Sequence, residues 1–284
     1  MEDFQNIDFI EEENNDVNNI CNKIINIENT ELLCSIDSKK FQSLLKILSM
    51  LEKKSNDNID IVNSQIIYTI GDCVVLIDLK NILYYDNNFI NLNIINPKKY
   101  IKLLKQLSKD VNIFLFNDIN NKQFIITDGQ IKILLPKSIK NNDNANFDIK
   151  SLNLDNYNNI CSKDIDKDQK NKIKSISMDS DNKGIIELLI HENKLKGINI
   201  QETAVYIFPE YINDPNSSSL NEKNVDLILK LSNFLIIDSD KYKVDILNQT
   251  NKYIIVTSCN IDNYIDVKVI ERASNITDEM NIFD

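Results

Sequence analysis

The chain has 284 residues, 42% of them hydrophobic, and 43 acids against 32 bases give it a net charge of −11. That apolar share supports a folded globule, and at ~100 to 200 residues per domain two domains are expected. No apolar run approaches the ~20 residues that span a bilayer, and Glu2 and Asp3 stand where a secretory signal is basic, so the expected setting is the cytoplasm, with no membrane partner.

Residues 1–30 are acidic and Asn-rich, with Glu11 to Glu13 and few apolar anchors, and read as an N-terminal extension. The first domain is expected over 31–136. A strand at Glu31–Ile36 leads into a helix over Ser38–Lys54, in which Phe41, Leu44, Leu45, Leu48 and Leu51 form one apolar stripe. Lys39, Lys46 and Lys53 lie on the opposite side. Strands follow at Ile59–Val62, Gln65–Ile70 and Asp72–Leu79. After a connection through Tyr84–Asn88 the order repeats, displaced by about 59 residues. Phe89–Ile95 is a strand, and Pro97, a good first-turn residue, opens a helix to Asp110. Tyr100, Leu103, Leu104 and Leu107 are expected inward; Lys98, Lys102, Lys105 and Lys109 outward. Strands at Val111–Phe116, Lys122–Thr127 and Gln130–Leu135 close the unit.

Residues 137–157 break this rhythm with Asn and Asp clusters and read as a connector. A second domain over 158–272 repeats the plan less cleanly. Its first helix is expected from Lys163 to Met178, with Ile165, Ile173 and Ile176 inward and Lys163, Lys167, Lys170 and Lys174 outward. Lys172 falls near the apolar side, which marks the register there as suspect. Strands at Gly184–His191, Lys194–Ile198 and Thr203–Phe208 lead through a polar break, Asp214–Ser219, to a helix over Asn221–Leu235. There Val225, Ile228 and Leu229 face inward and Lys223 and Lys230 outward. Strands at Lys241–Leu247, Lys252–Ser258 and Tyr264–Glu271 complete the domain. A tail over 273–284 places Met280, Ile282 and Phe283 among acids. The fold class is α+β: two similar domains, each of two strand-helix-strands units, with helices on one face of their sheets.

The lysines of these helices carry the functional signal. The first two helices each hold five lysines and one acid, +4 apiece. An AT-rich composition, with abundant Asn, Ile and Lys and Arg272 as the only arginine, explains lysine as the default solvated residue. It does not explain the exclusion of acids, because a merely solvated face mixes both signs. With +2 and 0 for the other two helices the four total +10, and the rest of the chain carries −21. A basic face within an acidic protein points to a polyanion. Lysine makes interchangeable phosphate contacts without locking a guanidinium fork onto one site, and nothing here reads base edges.

Catalytic readings find no support. His191 is the only histidine and builds neither a triad nor a metal site alone. Asp78, Asp118 and Asp128 sit near strand ends, where turn roles outweigh metal binding. The four glycines form neither GxGxxG nor a Walker loop. Cys21, Cys34, Cys73, Cys161 and Cys259 are scattered, which gives neither a zinc site nor a disulfide framework. No catalytic residue, metal or cofactor is expected, and the chain does not read as an enzyme.

The runs FQSLLKILSMLEK, IDIVNSQIIYTIGDCVVLIDLKNIL, INPKKYIKLLKQLSKDVNIFLF and KQFIITDGQIKILLPK together resemble the first domain of a DNA polymerase sliding clamp. The likeness is to clamps of tailed bacteriophages, distant relatives of proliferating cell nuclear antigen. NVDLILKLSNFLIIDSDKYKVDILNQTNKYIIVTS similarly resembles a clamp's closing unit. The resemblance implies a homotrimeric ring, helices inside and sheets outside, that encircles double-stranded DNA as a processivity factor. Its implied partners are the replicative DNA polymerase, an ATP-driven clamp loader and transcription factors of a phage-like programme, in a host cell cytoplasm. It also implies peptide docking beside the connector, in a groove expected at Leu135, Pro136 and Ile139. The alternatives are a monomeric clamp-like processivity factor and a structural or interaction protein without a DNA role.

Overall fold

Short runs of Val, Ile and Leu, punctuated by Asn and Asp, form antiparallel strands, because β-branched residues pack well on a pleated surface and short polar side chains tolerate tight turns. The computed structural model describes residues 30–54, 59–62, 64–70, 73–84, 92–137, 154–178, 185–191, 194–199, 204–208, 225–230, 236–250 and 252–273. The first half runs β1 (Thr30–Ile36), α1 (Ser38–Glu52), β2 (Ile59–Val62), β3 (Gln65–Ile70), β4 (Cys73–Asp78), β5 (Leu83–Tyr84), β6 (Leu92–Ile94), α2 (Pro97–Leu104), β7 (Ile113–Asp118), β8 (Gln123–Thr127) and β9 (Lys132–Pro136). After a 3-10 turn at Leu154–Asn156 the second half runs β10 (Asn158–Asp166), α3 (Lys167–Met178), β11 (Ile185–His191), β12 (Lys194–Asn199), β13 (Val205–Ile207), β14 (Val225–Lys230), β15 (Lys241–Gln249), β16 (Lys252–Ile261) and β17 (Ile265–Ala273). The fold is α+β with antiparallel sheets.

Among the described residues three sheets are formed, in the orders β5-β1-β7-β8-β9, β10-β15-β16-β17-β4-β3-β2-β6 and β13-β12-β11-β14. The eight-stranded sheet joins the two halves through a seam in which Val269 of β17 pairs with Val75 of β4. Chain order makes β10-β15-β16-β17 the counterpart of β1-β7-β8-β9, and β13-β12-β11-β14 the counterpart of β4-β3-β2-β6. The plan is thus repeated, and β9 and β13 end their sheets where β17 and β4 meet.

The three helices of the described residues lie over one face of the eight-stranded sheet. Phe41, Leu44, Leu48 and Leu51 of α1 and Ile101 and Leu104 of α2 share a core with Val75, Ile77, Val267 and Val269. Ile173 of α3 shares a second core with Val244, Ile246 and Ile255. Cross-strand pairing puts Val75, Val269, Thr257 and Val244 on that same face. Ile236 and Ile237, although late in the chain, are buried in the first half's core. Burial of an aliphatic side chain contributes ~1.5–3 kcal/mol, so these two residues fasten the halves together on the helix side.

The structure departs from the sequence reading in four places. Residues 163–166 belong to β10 and not to a helix, because Asp166 and Gln169 form a capping box that starts α3 at Lys167. The Asp166 carboxylate accepts the Gln169 N–H at 2.8 Å, and the Gln169 amide oxygen accepts the Asp166 N–H at 3.0 Å. The expected helix over Asn221–Leu235 is replaced at Val225–Lys230 by β14, paired with β11, with Leu227 fully buried. A short apolar run fits both periods, and sheet pairing decides. The second basic helix stops at Leu104, because the Asp128 carboxylate captures the Ser108 N–H at 2.7 Å and turns the chain. Within α2 the buried stripe is Pro97, Ile101 and Leu104, which turns Leu103 outward at 38% exposure. Of the strand expected over Phe89–Ile95, Leu92–Ile94 is formed, and residues 89–91 lie outside the described residues.

Candidate nucleic-acid interface

α1 is started by Asp37, whose carboxylate accepts the Lys39 N–H at 2.9 Å and the Lys40 N–H at 3.2 Å. Its apolar stripe then faces the sheet, and Lys39 and Lys46, with Lys53 just past its end, are left exposed. α2 begins with Asn96 in the left-handed region at φ 58°, followed by Pro97. Lys98 and Lys102 on α2, Lys105 at its C-cap and Lys109 in the following turn are exposed. Among the described residues, only Lys98 of these seven makes an ion pair, with Glu52 at 4.0 Å. Such a long, solvated pair contributes little. Lys40 is held differently: its ammonium donates to the Asn81 carbonyl at 2.9 Å and lies 4.8 Å from the Tyr84 ring centre.

Among its described residues, the second half does not repeat this surface. Lys163 lies in β10 and is half-buried, on the strand face that carries Cys161 and Ile165. Lys170, expected outward, is 8% exposed. Its ammonium donates to Asp238 at 2.8 Å and to the Tyr242 hydroxyl at 2.5 Å, and lies 4.8 Å from that ring's centre. Burial pulls the lysine's pKa down, but the bonds to Asp238 and Tyr242 outweigh it and hold the group above the ordinary value. Lys167 is exposed and pairs with Asp240 at 3.1 Å, a hydrogen bond that raises its pKa. Lys174 is exposed on α3, and so is Lys172, whose ammonium lies 5.9 Å from the Tyr206 ring centre. Lys230 lies in β14, and Lys223 falls outside the described residues.

Sequence periodicity missed Asp238 and Asp240, because they approach α3 from a segment about 70 residues later. The only hint was local: an IIDSDKY run sets two acids between buried isoleucines and a buried tyrosine.

The opposite face of the large sheet mixes its charges. A cleft of about 810 Å³ crosses the seam there, lined by Asp78, Asp164, Asp166 and Asp266 together with Lys241, Lys243 and Lys268. Beside it Val74, Leu76, Ile254, Val256 and Ile270 form an apolar cluster against which Leu154 and Tyr157, at the end of the connector, pack. Of the expected docking residues, Leu135 is 1% exposed and belongs to the core, Pro136 is exposed, and Ile139 falls outside the described residues. Asp118 and Asp128 serve turns. Asp118 accepts from Asn121 and Gln123, which lowers its pKa to about 2, and Asp128 accepts the N–H groups of Ser108, Gln130 and Ile131. Burial raises the pKa values of Cys161, to about 12, and Cys259, to about 11, so both are inert thiols.

No protein-family model and no curated protein matches the chain in sequence. Solved structures match it in shape. Proliferating cellular nuclear antigen from Entamoeba histolytica superposes with a TM-score of 0.60 at 11% identity, over 86% of this chain and 100% of that one. A chain of the PCNA2–PCNA3 complex from Sulfolobus tokodaii gives 0.55 at 11% identity, over 86% and 99%. The DNA polymerase III β subunit from Borrelia burgdorferi gives 0.58 at 14% identity, over 85% of this chain and 64% of that one. With its repeated halves, antiparallel sheets and helices on one face, the chain has the sliding-clamp fold.

Proposed function

We propose that the protein is a sliding clamp, non-enzymatic, that encircles duplex DNA and tethers a DNA polymerase to it. The observation that carries this reading is the correspondence between the internal seam and the two free edges. β17 pairs with β4 inside the chain, and their counterparts β9 and β13 are edge strands. Both expose large apolar residues, Leu134 at 47% on β9 and Val205 and Ile207 at 51% and 54% on β13, where an unpartnered edge is an aggregation liability. Pairing β9 of one copy with β13 of the next repeats the seam head to tail. Such heterologous contacts close into a ring when the rotation allows. Six half-chains make a trimer.

The fold supports the direction of the ring. Its helices share one face, and on the first half that face presents Lys39, Lys46, Lys53, Lys98, Lys102, Lys105 and Lys109. Placed around a central hole, these lysines meet phosphates without reading bases, and the duplex stays free to slide. Tethering raises the polymerase's effective concentration at the primer end. The polymerase's apolar peptide is assigned to the cluster roofed by Leu154 and Tyr157, because Leu135 is core. A clamp loader, transcription factors and a phage-type origin rest on the sequence resemblance.

Light scattering at tens of micromolar tests the assembly. The expected mass is three times 32.9 kDa. A single-chain mass at that concentration removes the closed ring and leaves a monomeric factor that clings by charge.

A further inference from the structure

The segment from Ile236 to Asp240 is fixed at both ends of its short span. Ile236 and Ile237 are buried in the first half's core, and the Tyr242 hydroxyl donates to the Ile237 carbonyl at 2.9 Å while accepting the Ser239 N–H at 2.5 Å. Held this way, Asp238 and Asp240 are presented on the helix side, both exposed. Asp238 accepts from the Lys170 ammonium at 2.8 Å, and that bond, with weaker contributions from the charges of Lys167 and of Lys46 on α1, lowers its pKa. Asp240 pairs with Lys167 while its side chain stays 83% exposed. The corresponding stretch of the first half, before β7, carries Lys105 and Lys109 with Asp110.

A carboxylate beside a lysine cancels its field at a distance even when the pair itself is weak. The first half therefore presents lysines with few acids among them, and the second presents α3 with two carboxylates fastened against it. We infer that the Asp238–Asp240 strap withholds Lys167 and Lys170 from DNA, so that each subunit meets the duplex backbone through its first half alone. This rests on the helix face being the DNA surface. The strap weakens the grip of the ring: three patches touch the duplex where six half-chains surround it, and the clamp is held loosely enough to slide.

Binding of the full-length protein to a fluorescent duplex is measured against salt concentration for five variants. Asp240→Asn leaves the buried Lys170–Asp238 bond intact, and Asp238→Asn/Asp240→Asn removes both charges. Asp164→Asn/Asp266→Asn changes net charge equally on the opposite face, and Lys167→Glu is compared with Lys102→Glu. The strap predicts tightening by about threefold for Asp240→Asn and more for the double variant, with a steeper salt slope. It also predicts tightening of less than about twofold for the opposite-face pair, and a far larger loss for Lys102→Glu than for Lys167→Glu. If the strap variants match the opposite-face pair and Lys167→Glu costs as much as Lys102→Glu, withholding is wrong while the DNA face stands. If neither lysine reversal changes binding, the helix face is not the DNA surface and the inference falls with it. Far-UV circular dichroism confirms that each variant is folded.

Discussion

Val75 and Val269 stand directly opposite each other across the seam between β4 and β17, both buried, one from each half of the chain. Their counterparts in the repeated plan lie on β13 and β9, which have no strand beyond them among the described residues. In the proposed ring, the seam is the template for the subunit contact. Replacing Leu134 or Ile207 with Lys puts a charge into the β9–β13 contact while leaving each fold intact, since both residues are half-exposed. The expected product is a folded single chain by light scattering. Ile119→Lys, 58% exposed at the β7–β8 turn, should keep the wild-type mass. A full-sized assembly from Leu134→Lys would move the subunit contact elsewhere.

Reversing Lys46, Lys102 and Lys105 to Glu tests the basic face. These side chains point away from the cores formed by Leu44, Leu48, Ile101 and Leu104, so stability and mass should hold. Three charges are reversed per subunit, and processive synthesis at moderate salt should fall by at least about tenfold. Unchanged processivity in the folded triple variant would separate this face from DNA.

Lys170 makes an opposite prediction. It is structural, so Lys170→Met should lower stability by about 1–3 kcal/mol, because Asp238 loses its partner and the buried Tyr242 hydroxyl loses one of its bonds. Urea unfolding measures this. A change below about 0.5 kcal/mol would mean the ammonium is not held as described.

Asp118 supplies an acid-dependent term. Its folded pKa of about 2 lies below the ordinary 3.8, so it stabilises the fold above the unfolded value, and the contribution is lost as pH falls through about 2. Wild type should therefore exceed Asp118→Asn in melting temperature at pH 6, and the gap should narrow between pH 4 and pH 2. A constant gap across that range would assign the loss to geometry alone.

Much of this fold was legible in the sequence because its elements are short and locally encoded. The stripe of α1, the strands from Ile59 to Asp78 and the Pro97 helix start follow from period and turn chemistry alone. The second half read less well for two physical reasons. Val225–Lys230 satisfies both helical and alternating patterns, and only pairing with β11 makes it a strand. The α3 start depends on a reciprocal Asp166–Gln169 cap that a lysine-rich run conceals. The candidate site was half legible for a related cause. Helical periodicity shows which way a lysine leaves its own helix, as at Lys46 and Lys102. It cannot show that Asp238 and Asp240 arrive from a distant segment to meet Lys170 and Lys167.

The central claim is topological linkage to duplex DNA, and retention on closed circles tests it most directly. The protein is loaded onto nicked circular DNA, isolated by gel filtration at a salt concentration that abolishes simple charge binding, and the circle is then cut once. A ring held by topology remains on the closed circle and leaves through the new ends after cutting. Equal retention before and after the cut, or none on the closed circle although the trimer is intact, would contradict the account.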